Sequence, residues 1–328
     1  MEQIINKGEW SYSFINPSNK SEGIRLIQLN NEEFNGIIPS QIDNYPVIVI
    51  GSGDEKTSLL KPSHIQQCNK VLIKEDSIKE IAAYCFKELT DLKSISFPNS
   101  ITAIRDLAFK GCTQLQKVVC PENLEVIDAG AFWGCSQLEE VQLNSKLHTI
   151  ESWGFMECNT LKEIVLNKEL QLIGKWAFQD CTSLKEVTFN ENLKIVLGAA
   201  FKNCTSLEFI QPNNRLKHFW GPVFQGCKNL KKVVLHDQFK TLGNSVFKDC
   251  NALSEINFPP SLLVIEEKAF ENCVHLKKAE LNRTEEPLTK VGENSFEGSG
   301  LSLLIIPRNT RYISETNWNK LQHLVSTK

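Results

Sequence analysis

Apolar residues recur along most of this chain at a fixed interval of 23 residues, and the clearest column is phenylalanine. Cysteine follows three residues after most of these rings, and leucine follows six residues after. A period of this length indicates a solenoid, in which each repeat is one coil that buries its apolar face against its neighbours. Nine rings keep the spacing and a tenth follows after 26 residues: Phe86, Phe109, Phe132, Phe155, Phe178, Phe201, Phe224, Phe247, Phe270 and Phe296.

Each repeat also contains the pattern L-x-x-[IV]-x-[LF], where one outward residue separates two apolar residues. In one repeat these positions are Leu138, Val141 and Leu143. Side chains alternate between the two faces of a strand, so the pattern predicts a short strand with Val141 and Leu143 inward. Small residues before the ring, such as Ala131 and Gly154, predict a tight bend that places phenylalanine under the next coil.

A unit that reads L-x-x-I-x-L-P-x-x-L-x-x-I-x-x-x-A-F-x-x-C resembles the BspA-like, treponemal-type leucine-rich repeats. The resemblance covers residues 63–307. It implies a right-handed solenoid with a parallel β-sheet on the concave face and short turns or 3-10 segments on the convex side. One column departs from the better-known leucine-rich repeats, because no asparagine ladder lies three residues after the last motif leucine. The backbone groups at that corner must therefore find other partners.

Three regions are predicted along the chain. Residues 1–62 form a strand-rich N-terminal capping module, residues 63–307 form the tandem repeats, and residues 308–328 form a C-terminal cap. Caps are expected because open strand edges and apolar faces would invite further stacking. Residues 314–325 carry apolar side chains at helical spacing, which predicts a short amphipathic helix, with a frayed tail as the alternative. Three extra residues within 282–287 are predicted to form a surface bulge.

The charge balance restricts the class of partner. The formal net charge is only -3, which disfavours nucleic acid and anionic membranes as partners. No apolar run approaches about 18 residues, so no membrane insertion is expected. The first ten residues hold no basic segment followed by an apolar one, which on sequence alone predicts a cytoplasmic protein. The family resemblance implies the alternative, a cell-surface or secreted protein.

The eleven cysteines are predicted to be unbridged structural thiols. Eight of them form one inward column, and the remaining three, Cys68, Cys85 and Cys120, also occupy core positions of the repeat. Parallel in-register coils hold equivalent Cβ atoms too far apart for a disulfide without distortion. The odd count and the absence of a C-x-x-C pair also argue against bridges and against a metal site. Buried free thiols imply a reducing compartment or slow oxidation.

No catalytic constellation is recognisable. The sequence has no G-x-S-x-G, H-E-x-x-H, phosphate-loop or dinucleotide motif. Its six histidines share no repeat column and no ligand spacing. We therefore expect a noncatalytic protein with no cofactor and no metal.

The outward residue that opens each motif strand forms the first candidate binding surface. Three adjacent carboxylates in this column repel one another, since like charges directly opposite in a ladder are destabilising. Their presence indicates either a cationic partner or compensation by nearby lysines such as Lys162 and Lys185. The predicted binding residues of this strip are Glu140, Glu163, Glu186, Phe209 and Lys232.

An adjacent column of asparagines suggests an amide strip for a glycan. Proline occupies the same column in other repeats, and the alternation of proline with asparagine is ordinary turn chemistry. The turn reading is the one we adopt. The asparagines concerned are Asn144, Asn167, Asn190 and Asn213.

The second candidate surface lies on the flank beside the phenylalanine column. Trp153 and Trp176 lie two residues before the ring, and Trp133 and Met156 lie one residue after it. If the segment is helical or a tight turn, these four make a contiguous apolar surface of the kind that anchors interfaces. The alternative is that the indoles only shield the core of adjacent coils.

These patterns together predict a noncatalytic leucine-rich-repeat scaffold that binds another protein through its concave face. Such faces present many coplanar side chains on a rigid frame. The alternative is a carbohydrate-binding or adhesin-like surface protein, which the resemblance implies for exported members.

Overall fold

The computed structural model describes residues 3–74, 77–281, 289–306, 310, 322 and 325–327. The chain divides into two compact units, Met1–Leu161 and Lys162–Lys328. The predicted bulge at 282–287 lies outside the described residues. So does the predicted helix over 314–325, apart from residue 322 and residue 325, which opens a strand.

The first unit begins with strand pairs and continues as coils. Its opening elements are β1 (Ile5–Lys7), β2 (Trp10–Phe14), a 3-10 turn (Lys20–Glu22), β3 (Ile24–Leu29), β4 (Ile37–Ile38), β5 (Gln41–Ile42), β6 (Tyr45–Ile50) and the helix α1 (Pro62–Gln67). The coils follow with β7 (Lys70–Ile73), β8 (Glu80–Ile81), β9 (Ser94–Ser96), β10 (Ala103–Ile104), β11 (Lys117–Val119), β12 (Val126–Ile127), β13 (Glu140–Gln142) and β14 (Thr149–Ile150).

Two sheets organise this unit. One runs in the order β1-β2-β3-β6-β8-β10-β12-β14, and the other runs β13-β11-β9-β7-β4. The pairs β1–β2 and β2–β3 are antiparallel, whereas β3–β6, β6–β8 and the coil-to-coil pairs are parallel. Because β6 pairs with β8, the opening sheet continues into the repeats, and the predicted boundary at residue 62 stays a prediction.

The second unit consists of coils that follow one another along the chain. Its strands are β15 (Glu163–Val165), β16 (Leu172–Ile173), β17 (Glu186–Thr188), β18 (Ile195–Val196), β19 (Phe209–Ile210), β20 (His218–Phe219), β21 (Lys232–Val234), β22 (Thr241–Leu242), β23 (Glu255–Asn257), β24 (Val264–Ile265), β25 (Lys278–Glu280), β26 (Lys290–Val291), β27 (Leu303–Ile306) and β28 (Val325–Thr327). The ladders are β15–β17, β19–β21–β23, β16–β18, β20–β22–β24–β26 and β25–β27–β28, all parallel.

Each coil carries two strands. The three-residue strand is the one that the L-x-x-[IV]-x-[LF] pattern predicts. Its middle residue is buried in most coils, as Val118 and Val187 show, and half-buried at Ile256. The second strand, of two residues, comes from the apolar positions that close the coil, such as Ile104 and Ile127. The solenoid with parallel strands is confirmed, and the second ladder is an addition that the sequence pattern did not predict.

The phenylalanine column forms the predicted stacked core. In the first unit, adjacent ring centroids from Phe86 to Phe155 lie 5.0, 5.2 and 5.3 Å apart. In the second unit, the centroids of Phe178 and Phe201 lie 5.3 Å apart with the ring planes 1° from parallel, and the stack continues to Phe296. All ten rings are almost completely buried, so the column is the core of each coil.

The backbone around each ring joins neighbouring coils and bends sharply. The Phe86 amide donates to the carbonyl oxygen of Ala108 at 2.8 Å, and the Glu88 amide donates to Lys110 at 2.7 Å. Residues two before the ring, except Pro222, and all residues two after it have positive φ angles. Glycine accepts this conformation without steric cost, and Gly111 and Gly134 occupy such positions. The tight bend predicted from small residues is thus a pair of left-handed positions.

The cysteines are free thiols, as predicted. Ten of the eleven are buried. Cys68 differs from the prediction, because it is only half-buried and its thiol donates to the carbonyl oxygen of Lys70 at 3.2 Å.

Candidate functional site

The strand face consists of the outward residues of the motif strands, which have three residues in most coils and two in β19. Because side chains alternate along a strand, burial of the middle residue places its two neighbours in solvent. Glu140, Glu163, Glu186, Phe209 and Lys232 are all exposed, each beside a buried residue. Glu140 belongs to the first unit, whereas the other four belong to the second.

Glu140 is compensated inside the first unit. Its strand pairs in register with β11, which sets Lys117 opposite Glu140. The Lys117 Nζ lies 2.9 Å from the Glu140 Oε1, and the Gln142 Nε2 donates to the same oxygen at 2.6 Å. These two contacts, the lysine first, lower the pKa of Glu140. The lysine that offsets Glu140 is therefore one coil away in the same column.

Lys232 is compensated in the same way in the second unit. Its register partner is Glu255, and the Nζ–Oε2 distance is 2.8 Å. Both side chains are well exposed, so the pair adds little to stability and mainly neutralises the local charge.

Glu163 and Glu186 differ from these two residues. Their strands β15 and β17 pair in register, so the two glutamates face each other across the ladder. Neither carboxylate forms an ion pair or a side-chain hydrogen bond within the part of the chain that the structure describes. On the same ladder, Val165 is 68% exposed opposite Thr188. The second unit thus presents two uncompensated carboxylates beside an open apolar side chain.

Phe209 lies next to a groove in the strand face. The ring is 39% exposed at the start of β19, in register with Lys232. No ladder joins β17 to β19 among the described strands, although they are the motif strands of consecutive coils. The groove between them has a volume of about 550 Å³. Its walls are formed by Glu186, Val187, Thr188, Phe189, Glu191, Phe209, Gln211, Pro212, Asn213, Asn214 and Arg215.

Pro212 accounts for this groove. It occupies the second inward position of the motif, where the flanking coils have Phe189 and Leu235. Proline has a smaller side chain than phenylalanine or leucine. The inward position is therefore underfilled in this coil. The proline was visible in the sequence as a break in an apolar column, but its effect on the surface was not predicted.

The asparagine column is structural, as the turn interpretation predicted. The Asn190 Nδ2 donates to the carbonyl oxygens of Asn167 at 2.6 Å and Leu170 at 3.0 Å in the preceding coil. Its Oδ1 accepts from the amides of Asn192 and Leu193, both at 2.7 Å. Asn144 and Asn213 make equivalent contacts. The amides bind backbone groups and form an asparagine ladder. This ladder lies one residue after the last apolar residue of the motif, whereas the better-known leucine-rich repeats have theirs three residues after it.

The flank residues occupy two different environments. Trp153 is 37% exposed and Trp176, in the second unit, is half-buried. Both have left-handed backbones, with φ angles of 60° and 58°. Trp133 and Met156 are half-buried, and the Lys110 Nζ lies 4.0 Å from the Trp133 ring centroid. In the first unit Lys110 therefore covers part of the Trp133 ring through a cation–π contact.

Trp220 is an exposed aromatic residue that the sequence analysis missed. It is 55% exposed, and its ring stacks on His218 with centroids 4.9 Å apart. Burial, followed by the charges of Lys240 and Lys217, lowers the pKa of His218. The signal was available, since equivalent positions hold polar or small residues such as Asp128 and Gly243.

The described ranges hold neither a metal-binding cluster nor a membrane-spanning helix. No group of three or more histidine, cysteine, aspartate or glutamate side chains there is arranged to hold a metal ion. No helix among those residues is long and apolar enough to cross a membrane.

The fold and its strand face define a leucine-rich-repeat solenoid, a class of generally noncatalytic interaction scaffolds. The sequence matches the family described as BspA type leucine rich repeat region (6 copies) over residues 79–208 and 198–324. The chain belongs to this family.

Two solved structures with TM-scores above 0.5 support the same fold. A leucine rich cell surface protein from Faecalibacterium prausnitzii is 21% identical with a TM-score of 0.58, and the alignment covers 100% of this chain and 95% of that chain. The pneumococcal vaccine antigen PcpA is 18% identical with a TM-score of 0.57, over 99% of this chain and 97% of that chain. A leucine-rich repeat protein from Bacteroides ovatus is 24% identical with a TM-score of 0.46, over 99% of both chains. A search of curated proteins gave no significant match.

Proposed function

We propose that this chain is a noncatalytic scaffold that binds a cationic surface of another protein through the strand face of its second unit. The observation that supports it is the in-register pair Glu163 and Glu186, neither of which has an ion pair within the described residues. Like charges opposite each other in a ladder are destabilising. A partner that places lysine or arginine over both carboxylates removes this repulsion on binding.

Phe209 supplies the apolar part of the proposed interface. An exposed aromatic ring beside charged groups is a typical interface anchor, because the ring gains most from desolvation and the charges set orientation. Lys232 lies in register with Phe209 but is already paired with Glu255, so it marks the edge of the surface. Glu140 is paired with Lys117, and we leave it out of the proposed site.

The cell surface is the location that we propose. One structural relative is described as a cell surface protein, and family membership gives no support to the cytoplasmic alternative. Terminal regions 1–62 and 308–328 are proposed to cap the repeats, since repeat stacks need closed ends.

The test is capture of partners from native cell or host extract with the full chain, four strand-face variants and the two flank variants Trp153→Ala and Trp176→Ala. Glu163→Gln/Glu186→Gln removes the uncompensated charges, and Glu140→Gln is its control at an equivalent position with an ion pair. Phe209→Ala removes the anchor, and Val119→Ala is the control for an exposed apolar side chain of the strand face in the first unit.

We expect the double glutamate variant to weaken partner binding by about tenfold at low salt and to reduce its salt dependence. Phe209→Ala should weaken binding by about tenfold or more at any salt concentration. The two controls should bind as the parent does. If Trp153→Ala and Trp176→Ala abolish capture while the strand-face variants bind normally, the flank is the site. A glycan array that binds the parent when no protein does would favour the carbohydrate alternative.

A further inference from the structure

The groove at Pro212 separates two coils that are paired elsewhere. Strand β15 pairs with β17, and β19 pairs with β21, but no described ladder joins β17 and β19. The two-residue strands break at the same coils, between β18 and β20. The phenylalanine stack nevertheless continues from Phe178 through Phe201 to Phe224. The coils are therefore held at the core and by the Glu208 amide, which donates to the carbonyl oxygen of Lys185 at 3.3 Å, but no described ladder closes the face between β17 and β19.

The size of the opening suits a side chain of a bound segment. At about 550 Å³ the groove is within the range of ligand sites, roughly 300–1,000 Å³. Its apolar wall includes Phe209 and Phe189, and Phe189 is fixed by an edge contact with Phe201 at 6.0 Å between centroids. A rigid apolar wall favours an aliphatic or aromatic side chain because that side chain loses water-exposed surface there.

The charges of the groove favour a basic neighbour for that side chain. Glu186 and Glu191 line the groove, and Glu163 faces Glu186 in register. Arg215 is the lining residue of opposite sign. None of these four side chains has an ion-pair partner among the residues that the structure describes. The acidic groups outnumber the basic one, so the local field attracts positive charge.

We infer that the groove binds an extended segment of the protein partner that carries an arginine or lysine next to an apolar residue. The apolar side chain enters beside Phe209 and Pro212, and the basic side chain pairs with Glu186 or Glu191. This inference rests on the proposed function, because the groove is part of the same strand face. It adds the recognition element that the partner must contain.

The test uses a displayed library of random dodecapeptides, selected on the full chain. Selected peptides are synthesised, and their affinity is measured by fluorescence anisotropy. Pro212→Leu restores the side chain found in the next coil and should narrow the groove. Glu191→Gln removes a groove charge that lies outside the proposed Glu163, Glu186 and Phe209 surface. Glu122→Gln is its matched control, since Glu122 occupies the same repeat position in the first unit.

Selected peptides should share a basic residue beside an apolar one. Their Kd should rise by about tenfold with Pro212→Leu and by about threefold to tenfold with Glu191→Gln, and it should not change with Glu122→Gln. If Pro212→Leu does not fold, the inference is decided by comparing the peptide Kd of Glu191→Gln with that of Glu122→Gln. Selection of peptides without basic residues, or equal affinity for Glu191→Gln and the parent, overturns the inference. If the partner captured by the strand face is still lost in Phe209→Ala while peptides ignore both groove variants, only the groove is wrong and the proposed function stands.

Discussion

The thiol of Cys112 donates a hydrogen bond to the carbonyl oxygen of Phe86 in the preceding coil, with an Sγ–O distance of 3.1 Å. The same contact recurs along both units, for example from Cys135 to Phe109 at 3.3 Å and from Cys250 to Phe224 at 3.2 Å. Cysteine is small and apolar enough for the core and still supplies a weak donor to a buried carbonyl. The column therefore links adjacent coils without any disulfide.

We expect this burial to control thiol reactivity. In the native protein one thiol, Cys68, should react readily with a small disulfide reagent, and the ten buried ones should react slowly. After denaturation without reductant, all eleven thiols should react. Fewer equivalents after unfolding would show that bridges had formed, which would contradict the free-thiol core.

Alkaline pH should destabilise the fold through the same residues. Burial raises the pKa of Cys120 from 9.0 to about 12. The folded state therefore keeps a proton that the unfolded chain loses above pH 9, so the thiol's contribution is present below pH 9 and is lost between 9 and about 12. Above pH 9, the free energy of unfolding, measured from urea curves, should fall as the pH rises. This fall should be smaller in Cys120→Val than in the parent, by about 1.4 kcal/mol per pH unit. Parallel curves for the two proteins would contradict this.

Truncation of a stacked ring should be costly. Phe178→Ala removes a fully buried ring that stacks on Phe201, and it should cost about 3–5 kcal/mol of unfolding free energy. Phe209→Ala is the matched control, because that ring is exposed on the strand face and should cost less than about 1 kcal/mol. Similar losses for the two variants would reject the assignment of the stack as the core.

The left-handed position after the ring should tolerate glycine best. At Gly134 the φ angle is 74°, and an added Cβ would lie 3.7 Å from the nearest atoms, which is an ordinary contact. Gly134→Ala should therefore cost about 1 kcal/mol through backbone strain alone. At the equivalent Glu88, with φ of 60°, Glu88→Gly should be more stable than Glu88→Ala by a similar amount. Equal melting of the two Glu88 variants would show that no strain is present.

The asparagine ladder should contribute to stability rather than to binding. Asn190→Ala removes four hydrogen bonds to backbone groups and should cost about 1–3 kcal/mol, since those groups lose their partners. Asn229→Ala, at an exposed site, should change the unfolding free energy by less than about 0.5 kcal/mol. A glycan-binding loss without a stability loss in Asn190→Ala would support an amide strip instead.

Much of this fold could be predicted from one sequence. The 23-residue period is repeated too often to arise by chance, both in the phenylalanine column that contains Phe178 and in the inward column that contains Val187. Strand alternation then dictates which side chains face the core. The same alternation predicted that Glu163 and Phe209 face solvent. The left-handed backbone of the bends was harder to predict. Trp153, for example, has a positive φ angle, and a tryptophan gives no local signal for that conformation.

The sequence by itself determined the solenoid, its core columns and the outward faces, because these depend on periodicity and on the exclusion of apolar side chains from water. Only the tertiary structure decided which surface charges are compensated, because Lys117 and Glu140 meet across coils through their register and side-chain reach. It also decided that Pro212 opens a groove, since an unfilled volume depends on how far neighbouring coils relax toward a missing side chain.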